Sequence, residues 1–189
     1  MENLPILKYN HNIRGTIQDG DLIFCHGNKV LHHMIRFFTK SYWNHVAMLF
    51  WWKGRCVVVE AGTNGVSTVS LSQFIKRYNG EVYLGRYLGL IPRQSYKIHH
   101  ACVDNYLGAD YDTWTLIRMA ARKTLSLIGY KGKAPKNKRW YCSELVKDAM
   151  AFAGIEFFED AQGVISPGMI AEDPRIHKIG RLVLSKETV

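Results

Sequence analysis

Residues 44–60 read Asn44-His45-Val46-Ala47-Met48-Leu49-Phe50-Trp51-Trp52-Lys53-Gly54-Arg55-Cys56-Val57-Val58-Val59-Glu60, and the fold turns on them. Val46 to Trp52 is a continuous apolar run of strand length. Lys53-Gly54 is turn chemistry, and Cys56 to Val59 is a second, β-branched strand. Two strands joined by a two-residue loop make an antiparallel hairpin. With that loop, Ala47 faces Glu60 and His45 faces Gly62. His45 and Glu60 then become diagonal neighbours on one sheet face, roughly 7 Å apart at the backbone and within side-chain reach. A loop one residue longer would place them on opposite faces. The hairpin therefore predicts a specific histidine–carboxylate contact.

Working outward, Leu22-Ile23-Phe24-Cys25 is a short strand after the Gly20-Asp21 turn, and Lys29 to Lys40 has helical spacing. Leu71 to Tyr78 is a short helix with Ser70 as N-cap, Glu81 to Leu88 a strand, and Tyr96 to Leu107 a helix ending near Gly108. Thr113 to Leu127 reads as helical, followed by a Gly/Lys/Pro/Asn-rich loop from Gly129 to Arg139. Cys142 to Ala153 is an amphipathic helix with Cys142, Leu145, Val146, Ala149 and Phe152 on one face and Gly154 as its cap. Ser166-Pro167 opens a further short helix, and Ile176 to Leu184 is a last strand. The class is α+β, an antiparallel sheet with helices beside it. The 189 residues fit one domain, 1–189.

Composition narrows the function. Hydrophobic residues make up 47% and charged residues 22%, as in ordinary globular proteins. No apolar run reaches the ~18–20 residues of a membrane span, and Met1 to Arg14 lacks the pattern of a secretory signal. As written, the chain reads as cytoplasmic; removal of a leader would make it periplasmic or extracellular. Cys25, Cys56, Cys102 and Cys142 are widely spaced without a CxxC pair, which argues against a disulfide framework or a zinc ribbon. His32-His33, His99-His100 and Cys102 match no standard zinc spacing, so no metal and no cofactor is expected. The net charge is +9, and no acidic residue falls between Asp112 and Glu144, where Arg118, Arg122, Lys123, Lys131, Lys133, Lys136, Lys138 and Arg139 cluster. Such a patch suits an anionic polymer or lipid surface, or serves solubility alone. A basic binding protein for nucleic acid, with Tyr130 and Trp140 stacking on bases, is a rival reading, but no nucleic-acid motif supports it.

Cys142 carries the chemistry. It stands at a helix start, where free N–H groups and the positive dipole end favour a thiolate. Lys138 and Arg139 just upstream push the same way. A cysteine packed as a small core residue would occupy the same position. A histidine oriented by a carboxylate changes the balance, since it can take the thiol proton.

Gly-Asp-Leu-Ile-Phe at 20–24, Asn-His-Val-Ala-Met at 44–48, Val-Val-Val-Glu-Ala at 57–61 and Tyr-Cys-Ser-Glu-Leu-Val at 141–146 together resemble the YiiX/YebB-like branch of the NlpC superfamily. Those are permuted papain-like enzymes related to the lecithin:retinol acyltransferase-like proteins. Gly65-Val66, Tyr111-Asp112 and Ser166-Pro167-Gly168 extend the resemblance over about residues 20–181. It implies a central antiparallel sheet or half-barrel with the cysteine helix packed against it. It also implies a catalytic set of Cys142, His45 and Glu60, with Tyr111 as candidate oxyanion donor. The expected activity is amide hydrolysis through a Cys-thioester, foremost in peptidoglycan peptides, with lipid or acyl-ester hydrolysis or transfer second. The basic segment from about 123 to 139 matches no shared motif and reads as an insertion. Tyr42, Trp43, Trp51 and Trp52 flank the His45 strand as either an acyl pocket or packing.

Overall fold

The structure is a computed structural model and describes residues 4–9, 12–28, 30–62, 65–109, 141–157 and 165–185. Among the described residues, seven strands form one sheet: β1 (Ile6–Tyr9), β2 (Leu22–Gly27), β3 (His45–Trp52), β4 (Arg55–Gly62), β5 (Gly65–Ser70), β6 (Gly80–Tyr87) and β7 (Ile176–Leu184). Their spatial order is β1-β7-β6-β2-β3-β4-β5. Every neighbouring pair is antiparallel except β1–β7, which is parallel. The expected sheet is present, with strands β1 and β5 added at its edges.

The quoted hairpin forms as its residues require. Trp52 pairs with Arg55 and Met48 with Val59, so Lys53 and Gly54 are the whole loop. Both have positive φ, 48° and 72°, the pattern of a type I′ turn. The register places His45 and Glu60 on one face, as the two-residue loop demands.

Five α-helices among the described residues accompany the sheet: α1 (Val30–Thr39), α2 (Leu71–Arg77), α3 (Pro92–His100), α4 (Cys142–Phe152) and α5 (Pro167–Glu172). α3 begins earlier than its apolar residues suggest, because Pro92 presets the first turn, and it runs on through a π-helical turn at Ala101–Tyr106. Ser70 caps α2 by accepting from the Gln73 N–H, and Ser166 caps α5 by accepting from the Met169 N–H. Two apolar layers sandwich the sheet. On one face Leu71 and Phe74 of α2 pack against Ile23, Cys25, Ala47, Leu49 and Val58. On the other, Leu145, Val146, Ala149 and Met150 of α4 pack with Leu22, Phe24, Val46, Met48 and Phe50, joined by Ile98 and Ile170. Burial on both faces explains why Leu22–Cys25 of β2 and Val46–Phe50 of β3 are continuous apolar runs rather than alternating. The buried face of α4 departs from expectation at one position. Phe152 is 52% exposed, and Met150 with Ala153 fills the core instead.

Candidate active site

The end of the sheet where β2 and β4 finish and β3 and β6 begin gathers the chemistry-bearing residues. His45 opens β3, directly opposite Cys25 on β2. Its Nε2 lies 3.2 Å from Glu60 Oε2, near the end of β4. Glu60 is 8% exposed, and its Oε1 accepts from Nη2 of Arg77, the last residue of α2. A buried carboxylate needs such a partner, because an unpaired charge there would be strongly disfavoured. The Phe74 and Tyr78 rings, 5.5 Å from each other, lie nearly parallel to the His45 ring, with centroids at 6.3 and 6.4 Å from it.

Cys142 comes from the opposite layer. It is the first residue of α4, behind Tyr141 as N-cap, and is 6% exposed. Its thiol faces the His45 side chain and the backbone N–H groups of Val46 and Ser143, all of which favour the thiolate. With Nε2 engaged by Glu60, Nδ1 is the imidazole nitrogen left for the sulfur. Burial pushes the Cys142 thiol up, but the His45 charge and hydrogen bond, with the two backbone donors, outweigh it and hold the group below an ordinary thiol. The other sulfurs differ. Burial pushes Cys25 well up and Cys102 to about 12, so both stay protonated. All four cysteines are free.

A second tier steadies this end. Asn44 Oδ1 accepts from the Gly27 N–H at 2.5 Å, while Asn44 Nδ2 donates to the Tyr78 hydroxyl at 2.9 Å. The Tyr78 hydroxyl in turn lies close to the Cys25 thiol, which pairs across the strands with His45. Sequence reading missed Arg77, Asn44 and Tyr78 in these roles. Asn44 stood inside the quoted stretch, but nothing in its spacing showed a partner just past the end of a helix more than thirty residues away.

Of the four expected site residues, the structure brings Cys142, His45 and Glu60 together. Tyr111, the basic segment at 123–139 and the helix expected at 113–127 lie outside the described residues. The aromatics around β3 pack mainly as core. Trp43 is buried against Phe24 and Tyr83, and Trp51 Nε1 donates to Ile17 O. Among the described residues, no three His, Cys, Asp or Glu side chains are grouped to hold a metal ion. Nor is any helix among them long and apolar enough to cross a membrane.

A cysteine-led helix packed on an antiparallel sheet, with the histidine and carboxylate earlier in the chain, defines a papain-like architecture in permuted order. Comparison with known proteins agrees. The profile of a family described as permuted papain-like amidases, YaeF/YiiX, C92 family, matches residues 16–162, and the chain belongs to that family. It is similar to an Escherichia coli (strain K12) protein described as a probable lipoprotein peptidase, YaeF. The two are 28% identical over 177 residues, covering 80% of this chain and 61% of that protein's length. The chain thus spans less than two thirds of that curated relative. In fold it resembles the crystal structure of yiiX from Escherichia coli O157:H7, which is described as a metalloprotein. The TM-score is 0.65 at 23% identity, over 87% of this chain and 97% of the other.

Proposed function

We propose that the protein hydrolyses amide bonds with Cys142 as nucleophile, His45 as base and Glu60 as the group that orients the imidazole. The observation that carries this is the placement of Cys142 at the start of α4 against His45, whose Nε2 lies 3.2 Å from Glu60 Oε2. His45 takes the thiol proton, and the sulfur attacks the carbonyl carbon to give a tetrahedral oxyanion. The imidazolium returns its proton to the leaving amine as the C–N bond breaks, leaving a thioester. Water, deprotonated by His45, then releases the acid and restores the thiol. The backbone N–H of Cys142, in the first turn of α4, has no acceptor within its own helix and is proposed as one oxyanion donor. Tyr111 is proposed as the second donor.

Peptides of the bacterial cell wall are the proposed substrates. The family's description as amidases and the relative's as a peptidase support an amide over an ester. A net charge of +9 suits an anionic polymer. Cys142→Ala and Cys142→Ser should each abolish release of new amino groups from cell-wall peptides while keeping the wild-type melting temperature within a few degrees. Full turnover by the alanine variant would sink the assignment.

A further inference from the structure

At the same end of the sheet, two strands from His45, lies a cavity of ≈ 480 Å³ lined by His26, Asn28, Tyr42, Gly80, Glu81 and Arg181. Its lining is polar or glycine throughout. Glu81 and Arg181 face each other across β6 and β7, with Arg181 Nη1 3.0 Å from Glu81 Oε1. Both remain accessible, at 29% and 40% of their side-chain surface. Glu81 Oε2 accepts from the Tyr42 hydroxyl at 2.5 Å and the Tyr83 hydroxyl at 3.0 Å. The Tyr42 hydrogen bond, then Tyr83 and the Arg181 charge, hold this carboxyl below the usual range, so it stays ionised.

A count of hydrogen-bonding capacity shows what is left over. A carboxylate offers about four lone-pair sites, and three are taken here. A guanidinium offers about five N–H donors. One of those of Arg181 meets Glu81, and its Nε is buried with no partner among the described residues. His26 is spent: Nδ1 donates to Tyr42 O at 2.9 Å, and Nε2 accepts from Arg36 Nη1 at 3.1 Å. Gly80 lets β6 approach β2 closely here, because a Cβ there would overlap the His26 carbonyl. The pocket therefore offers a ligand one remaining carboxylate lone-pair site beside the Nη donors of Arg181 that Glu81 does not use. That pattern complements a ligand with both an ammonium and a carboxylate, and it offers an acyl chain nothing.

Its placement fits a peptide. Cys25 pairs with both His45 and Val82, so Glu81 lies one residue off the row that contains His45. Two strand spacings make about 10 Å, which about three residues of extended peptide would span. His26 and Glu81 pair on the face shared by Phe24 and Tyr83, the face on which α4 presents Cys142. We propose that the Glu81–Arg181 pocket is a recognition subsite for the zwitterionic end of a short peptide or amino acid, with Glu81 taking the ammonium and Arg181 the carboxylate. As a subsite for the cleaved substrate it rests on the amidase reading; as a binding site it does not.

The test is calorimetric titration of the Cys142→Ala and Cys142→Ser chains, which turn nothing over, with alanyl-alanine, its N-acetyl form and its C-terminal amide. The free dipeptide should bind at millimolar concentration, and blocking either end should weaken it about tenfold or more, ~1.4 kcal/mol. Added to these chains, Glu81→Gln should erase the preference for the free amine and leave the preference for the free acid. Arg181→Gln should do the reverse, with melting curves confirming folded protein. Equal binding of all three dipeptides, no binding of any, or preferences untouched by both substitutions would overturn the proposal. A hydrolase assay that fails while these preferences hold would instead overturn the amidase reading alone.

Discussion

At Cys142 two forces oppose each other. Burial resists the thiolate; the His45 charge, its hydrogen bond and two backbone donors favour it and win. The sign can be followed experimentally. Cys142 should react with iodoacetamide faster than the other three cysteines, with a midpoint below that of an ordinary thiol. In His45→Ala only burial and the backbone donors remain, so the midpoint should rise, and turnover should fall by roughly 10²–10⁴. Glu60→Gln removes the carboxylate that favours an imidazolium and should move the midpoint the same way by less. An unchanged alkylation profile in His45→Ala would mean the two groups are not coupled. Cys142, His45 and Glu60 could be read from sequence because a hairpin turn and a helix start are local features. Arg77 and Tyr78 could not, because their contacts depend on how α2 lies across the sheet, which no local spacing encodes.

Among the elements, the β3–β4 hairpin does the most to build this site. Its turn was readable because two residues are the shortest loop that lets the strands pair, and Gly54 accepts φ > 0. Lys53 also has φ 48°, which a non-glycine residue adopts at a cost. Lys53→Asn should therefore stabilise the fold by about 0.5–1 kcal/mol, and Gly54→Ala should destabilise it by about 1–2 kcal/mol, read from urea midpoints. A destabilised Lys53→Asn would show that the lysine side chain has a role outside the turn. The edge strands were harder to read. β1 is only four residues long with alternating exposure, and β5 is rich in Ser and Thr. Neither carries the apolar run that betrays a central strand. Phe152 was misplaced because an eleven-residue helix lets either Phe152 or Met150 continue the apolar stripe, and the layer beneath α4 decides between them.

Across the molecule, the end of the sheet away from His45 is closed by polar bonds. Arg175 donates to both oxygens of Asp173 and to Glu156 O, and its guanidinium lies over Tyr87 and Phe157. It thereby ties the end of α5 to β6 and to the chain following α4. The Arg175 hydrogen bonds hold the Asp173 carboxyl below its usual range. A depressed folded-state value stabilises fully above the unfolded carboxylate range, and that stabilisation is lost as pH falls through the folded value. Asp173→Asn should thus lower the urea midpoint at neutral pH, and the deficit should shrink as the solution is acidified. A deficit that stays constant with pH would assign the loss to packing. At the same scale, the hairpin has a consequence for how the protein is made. His45 and Glu60 are fifteen residues apart and meet through a two-residue turn, whereas Cys142 follows more than eighty residues later. On the ribosome the imidazole–carboxylate pair can assemble while the sulfur is still untranslated. The thiol can meet the imidazole only when α4 docks on the sheet, so a nascent or truncated chain that stops short of that step should carry ordinary cysteines and no reactive one.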